Sequence, residues 1–415
     1  LMLRADVSQM RTGAVNLFTR SGNNWIPLQQ LVPPVSDADD LGLFGRSLAI
    51  DGDTLVVGAT QEEENDATFN AGAVHVYRRA SNSNHWDLEA TLRASDAAAG
   101  ANFGYAVDVS GSTIAVGARF HGADRGAAYV FQRSNSGIWS ESSRLDPGLR
   151  QTRSFGAALA IDQQTILVGA PEEDHSGINS AGAVYVFTRP TNDVNAWSLE
   201  GAPLISPTPR VDEQFGYAVD VDGTTVAIST LPVSNVPTNG QVFVYPTLGA
   251  PPVTLVGDTL QAGFGRSLAI SSQNLIVGAA NPSSVLGEAI IYGRDVGGNE
   301  NWGRVSRLSP VSAAADLFGW DVAITDRLAI VGAPRRTLAG EPPETGAGFL
   351  FGLPPVILDF DDVSTAEGDP IAIQTMAENE PRLYQASGLP AGTSIDLESG
   401  LISGTILPAL SGPWT

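Results

Sequence analysis

Cysteine is absent from the 415 residues, which excludes disulfides, thiolate metal sites and a thiol nucleophile. Lysine is absent as well, since all 23 basic residues are arginine, so lysine Schiff-base chemistry is excluded. Charge is sparse, at 16% of residues, and positive charge sparser still, leaving a net charge of −22. A surface of that sign repels a phosphate backbone, and no nucleic-acid partner is expected. There is no run of eighteen apolar residues and no charged-then-apolar leader, so neither membrane insertion in this segment nor a signal peptide is expected. The abrupt start at Leu1-Met2-Leu3 suggests a processed or cut N-terminus.

Glycine and proline are plentiful, at 45 and 26, beside 43% hydrophobic residues. That balance suits many short strands joined by turns, and hence an all-β protein. The strands are written as a repeat. A Phe-Gly pair recurs at Phe44, Phe103, Phe155, Phe215, Phe264 and Phe318. Each pair opens an apolar stretch, a tight polar turn and a second stretch ending Val-Gly-Ala, which the fourth copy degrades to Ile228-Ser229-Thr230. Turns such as Asp51-Gly52, Ser110-Gly111 and Asp222-Gly223 supply the positive φ of a two-residue hairpin.

A third strand opens on glycine seven times, at Gly13, Gly72, Gly126, Gly182, Gly240, Gly287 and Gly346. A fourth is led by tryptophan at Trp25, Trp86, Trp139, Trp197 and Trp302. Each unit is therefore a four-stranded antiparallel meander that cannot cover both of its faces alone. Such units close into a β-propeller, with Phe, Gly and Trp serving packing. Seven third-strand motifs predict seven blades, two of them incomplete. The alternative is a six-bladed ring closed by pairing the segment from Trp25 with the last unit.

"FGYAVDVSGSTIAVGA" from Phe103, followed by "GAAYVFQRSNSGIW" from Gly126, resembles the FG-GAP repeats of bacterial surface proteins and, more distantly, the integrin α-subunit propeller. The integrin-like relatives carry calcium in the turn between the first two strands, using carboxylates spaced two apart. Here that turn is reduced to "IDGDT" or "VSGST", so those calcium sites are not carried over and no cofactor is required. Residues 1–353 are assigned to the propeller and 354–415 to a second domain. The stretch from Gly388 to Thr405 resembles the Ig-like or cadherin-like domains of bacterial surface proteins, of which only a β-sandwich fragment is present.

Two acidic loops between second and third strands are the metal candidates: Glu62, Glu63, Glu64 and Asp66, and Glu172, Glu173 and Asp174. They keep Ca2+ binding open, against the reading that they are solvated charge runs. The four histidines, His75, His85, His121 and His175, show no catalytic spacing. The expected function is a non-catalytic module, extracellular or at a prokaryotic cell surface, for adhesion or structural display through the propeller loops. Its partners would be a surface protein or glycan, or other copies of itself. One alternative is a filament subunit assembled by strand complementation. The other is a polysaccharide-acting propeller enzyme, which would need carboxylate, His, Tyr or Arg side chains from different blades to meet at one mouth of the channel.

Overall fold

The computed structural model describes residues 2–5, 13–21, 24–34, 42–63, 69–80, 83–148, 152–231, 239–258, 263–280, 287–298, 301–309, 316–336, 346–353, 370–374, 393–395 and 401–405. The chain divides into two compact units, residues 1–324 with 330–350, and residues 325–329 with 351–415.

The repeats form five four-stranded antiparallel sheets and two three-stranded ones. The first complete sheet runs in chain order through Phe44–Asp51, Thr54–Ala59, Ala73–Arg79 and Trp86–Leu92. Asp51 pairs with Thr54 across a turn in which Gly52 has φ +55°, as a tight hairpin demands. We number blades 1 to 6 by their Phe-Gly pairs, from Phe44 to Phe318.

The six phenylalanines are no more than 2% exposed, and they sit between blades. Val56, Val74, Val76 and Leu92 of blade 1 share one core with Phe103, Val107, Ile114 and Tyr129 of blade 2. Each phenylalanine also meets an aromatic ring of its own third strand, as Phe103 does Tyr129 at 5.5 Å and Phe155 does Tyr185 at 5.3 Å. Burying a ring of this size contributes roughly 1.5–3 kcal/mol, so the repeated phenylalanine is the main apolar link between neighbours.

Glycine sets how closely the blades approach. A Cβ on Gly117, from the Val-Gly-Ala of blade 2, would collide with the carbonyl oxygen of Gly156 in blade 3, itself at φ +85°. Gly58, Gly169 and Gly278 meet the next Phe-Gly glycine in the same way. Blade 4 replaces this glycine by Ser229, whose Oγ accepts a hydrogen bond from Ala218 N at 3.0 Å. That bond lies within blade 4, and the next blade still comes close, since a Cβ on Gly265 would meet Thr230 O at 2.7 Å and Ser229 Cβ at 3.1 Å.

The expectation of seven blades is corrected to six. Six sheets contain the strand that follows a Phe-Gly pair: Phe44–Asp51, Phe103–Ser110, Ala158–Asp162, Val219–Asp222, Phe264–Ile270 and Val322–Ile324. The third-strand motif at Gly13 belongs to a three-stranded sheet of Met2–Ala5, Val15–Ser21 and Asn24–Leu31. Among the described residues that sheet has no Phe-Gly strand. It packs through Val15, Leu17 and Leu31 onto Phe44 and Leu55 of blade 1. Counting third strands therefore overstated the number of inner strands by one.

In the second unit, Pro370–Gln374, Thr393–Ile395 and Leu401–Thr405 form a three-stranded antiparallel sheet with the last strand in the middle.

Candidate binding site at the channel mouth

First and second strands are antiparallel, with Phe44 opposite Ala59 and Phe103 opposite Ala118. Every Phe-Gly pair and every loop after Val-Gly-Ala consequently lies on one face of the propeller. That face carries both acidic loops.

The loop carboxylates are tied into the protein. Glu62 is 2% exposed. Its Oε2 accepts from His75 Nε2 at 2.6 Å and its Oε1 from Arg93 at 2.6 Å. Burial pushes this carboxyl up, but the hydrogen bond and charge of His75, and then of Arg93, outweigh it and hold it below the usual range. Glu172 accepts from Arg119 at 2.5 Å and from Ser154 Oγ at 2.8 Å. Glu173, 3% exposed, accepts from the Tyr185 hydroxyl at 2.8 and 3.0 Å. Asp174 is exposed and accepts from Ser180 N. Glu63 is half-buried, while Glu64 and Asp66 lie outside the described residues. Among the described residues no three His, Asp or Glu side chains gather as a metal-holding group. The two clusters are separate, and each has arginine or hydroxyl groups where a cation would need free oxygens.

A different set of side chains does meet. In blades 1, 2 and 5 the strand register shifts across the Phe-Gly pair, between Phe44 and Ser47, Phe103 and Ala106, and Phe264 and Ser267. A bulge of this kind re-aims the residue it extrudes. The residues after Phe-Gly are Arg46, Tyr105, Ala157, Tyr217, Arg266 and Trp320. Arg46 lies over the Tyr105 ring at 4.7 Å, bridging blades 1 and 2. Arg266 lies over the Trp320 ring at 3.3 Å, bridging blades 5 and 6. Arg119 covers Tyr105 at 5.2 Å and donates to its hydroxyl at 2.8 Å.

Arg46, Tyr105, Tyr217, Arg266 and Trp320 each directly follow a Phe-Gly pair, so the strand register places them around one mouth. Burial pushes the Arg266 guanidinium down from its ordinary value, and it feels Tyr217, Arg46, Tyr105 and Asp321 in turn. Burial pushes the Asp321 carboxyl up, opposed by a hydrogen bond from Val322 N and by the charges of Arg46 and Arg266. Residues from blades 1, 2, 4, 5 and 6 thus converge at the Phe-Gly end. Neither Arg46 nor Arg266 has a carboxylate within 4.0 Å among the described residues, and Arg266 Nε is buried without a hydrogen-bond partner.

The opposite end of the inner strands is acidic. Asp51 accepts from Gly111 N, Asp108 from Ile161 N, Asp162 from Gly223 N and Asp220 from Ile270 N, all at 2.7–2.8 Å. Each bond joins one blade to the next. Asp108 and Asp220 are pushed up to about 7, chiefly by burial, with Asp220 and Asp51 adding to the effect at Asp108. Both are half-buried in solvent contact although deep in the protein, as befits side chains lining a narrow passage.

The acidic loops announce themselves as charge runs, but their partners lie 12 to 53 residues away and are hidden from a linear reading. The mouth was missed because the motif draws attention to Phe and Gly. Its signal is the one variable residue behind an invariant pair. A groove of about 420 Å³ on the N-terminal sheet, lined by Asn16, Leu17, Phe18 and residues 27–30, contains no titratable group.

Four segments, residues 25–77, 86–131, 139–187 and 302–351, match the FG-GAP repeat. No curated protein matches the chain. Among solved structures it is similar to a provisionally assigned 6-phosphogluconolactonase from Bacteroides uniformis, with a TM-score of 0.55 and 12% identity over 80% of this chain and 88% of that one. A second so assigned, from Bacteroides fragilis, gives a TM-score of 0.51 and 14% identity over 80% and 86%. At such identity the likeness is one of fold alone.

Proposed function

Starting from a β-propeller of FG-GAP repeats, we propose that the protein is a non-catalytic binding module of a prokaryotic cell surface, serving adhesion or display. The ligand face is the one that carries the Phe-Gly mouth and the loops after the second strands. The observation that carries this reading is the convergence of Arg46, Tyr105, Tyr217, Arg266 and Trp320 from five blades, inside a rim whose acidic loops are held by internal pairs. A rigid rim around a centre in which Arg46 and Arg266 have no carboxylate partner among the described residues suits binding, because little is lost in ordering it. In this reading residues 354–415 are an Ig-like spacer. The test is a panel of immobilised glycans and surface proteins. Binding to at least one, abolished by substitutions at the mouth, is expected, whereas turnover of a substrate with no retention on any surface overturns the proposal.

A polysaccharide-acting enzyme is the second reading, favoured by the same convergence together with the raised carboxyl of Asp321. Release of reducing or unsaturated ends from a polysaccharide, lost in Asp321→Asn, would establish it. The filament reading draws on the three-stranded end sheets, whose outer edges are unpaired among the described residues. Electron microscopy that finds only single particles removes it.

A further inference from the structure

We propose that the mouth is a site for an acidic saccharide, whose carboxylate is held between Arg46 and Arg266 and whose ring lies against the aromatic side chains of Tyr217 and Trp320. The inference deepens the binding reading above and rests on its choice of face.

The charge argument comes first. A protein with 45 acidic and 23 basic residues has carboxylates to spare, and several of its partly buried arginines find them, while Arg78, Arg189 and Arg294 donate to hydroxyl or carbonyl oxygens. Arg93 is paired with Glu62, Arg119 with Glu172, Arg133 with Glu89 and Arg336 with Asp316. Among the described residues the side chains of Arg46 and Arg266 have neither kind of partner. They come from blades 1 and 5, and because both directly follow a Phe-Gly pair they stand at the same mouth, where both act on Asp321. Two like charges brought together, one of them partly desolvated, cost stability unless something of opposite sign joins them. Asp321 answers one of the two charges, and an anion at that position supplies the counter-charge for the other.

The stacking geometry says which atoms are free. Both guanidinium groups lie on aromatic faces, Arg46 on Tyr105 and Arg266 on Trp320. A stacked guanidinium keeps its N–H edge available, and that edge is the fork that matches a planar carboxylate with two parallel hydrogen bonds. Arg266 Nε, buried and without a partner, is one such donor. An unmet buried donor costs about 1–3 kcal/mol, which a bound oxyanion would recover.

The rest of the rim distinguishes a sugar acid from a bare ion. Tyr105, Tyr217 and Trp320 are half-buried at the mouth, so part of each ring is solvent-facing surface beside the arginines. An inorganic ion has no use for such flat apolar faces, whereas the C–H face of a pyranose ring packs against them. Asp321 keeps solvent-exposed surface although it stands deep in the mouth, and its carboxyl accepts hydrogen bonds and so offers the sugar hydroxyls a partner. Arg46 and Arg266 against the single carboxylate of Asp321 leave a local positive charge in an acidic molecule, which concentrates anions there.

The experiment is calorimetric titration of the whole protein with tri-galacturonate, with the neutral galactotriose, and with inorganic phosphate and sulfate. Binding of tri-galacturonate is expected, weakening as salt rises, with galactotriose at least about tenfold weaker. Arg46→Gln and Arg266→Gln are each expected to weaken it by about tenfold or more while leaving the melting temperature near that of the parent, and Trp320→Phe by less. Absence of tri-galacturonate binding overturns the proposal. So does equal affinity for the neutral sugar, or full affinity in the Arg46→Gln, Arg266→Gln double variant. If phosphate or sulfate matches tri-galacturonate, the site is a general anion site and the saccharide assignment falls. The adhesion reading fails separately, through turnover without retention in the surface panel, whatever the titration returns.

Discussion

The two ends of the channel are built from the same six inner strands and use charge in opposite ways. At the turn end, Asp51, Asp108, Asp162 and Asp220 each take a backbone N–H of the following blade. At the Phe-Gly end, Arg46 and Arg266 rest on aromatic rings with no carboxylate in contact among the described residues. The first arrangement spends its charge on cohesion. The second leaves hydrogen-bonding capacity unmet, and fold stability alone does not account for it. A charge that stitches blades together and a charge that awaits a ligand can thus be told apart by asking what each polar atom touches.

Substitutions can break this comparison in order of size. The largest effect is expected beneath the mouth, where Gly117→Ala would drive a methyl group into the Gly156 carbonyl and force blades 2 and 3 apart. A loss of about 3 kcal/mol in urea unfolding is expected, at the upper end of overpacking costs. A variant as stable as the parent would show that the blades do not meet there. Asp108→Ala removes the acceptor for Ile161 N and Val109 N, and a loss of about 1–3 kcal/mol follows from leaving buried donors unmet. Arg46→Gln, on an exposed side chain, should change stability by no more than about 0.5 kcal/mol while changing binding much more. An equal loss of stability in Asp108→Ala and Arg46→Gln would erase the distinction between the two ends.

Acidity sharpens the same contrast. Asp108 and Asp220 have carboxyls raised from 3.8 to about 7 in the folded protein, so between those values the folded state binds more protons than the unfolded chain. Their contribution to stability is therefore fully present below about pH 4 and is lost as pH rises through 7. Glu62 has the opposite sign. Its carboxyl is lowered, so its contribution is present at neutral pH and is lost as pH falls through its folded value. Melting temperatures measured from pH 4.5 to 8 should decline less steeply with rising pH in the Asp108→Asn, Asp220→Asn double variant than in the parent. Identical slopes would mean that the two carboxyls titrate normally.

How far the sequence could be read depends on what each residue touches. Phe, Gly and the leading Trp recur because blade-to-blade contact imposes the same steric demand six times. Phe103 and Phe155 fill equivalent seams, and Gly117 and Gly169 make equivalent approaches. The blade number was obscured because Gly13 satisfies the same demand against Phe44 in a sheet without a Phe-Gly strand. The site was harder to read, since Glu62 draws its partners from His75 and Arg93 and Glu172 draws Arg119 from the preceding blade. Arg46 and Arg266 are 220 positions apart in sequence, and only closure of the ring brings them together.

Differential quenching of Trp320 fluorescence tests most directly whether the mouth carries unpaired positive charge. With Trp320→Phe as the reference for the other six tryptophans, iodide should quench the Trp320 component more strongly than caesium. That preference should disappear in the Arg46→Gln, Arg266→Gln double variant. Quenching by caesium equal to or stronger than that by iodide in the parent protein would contradict the account.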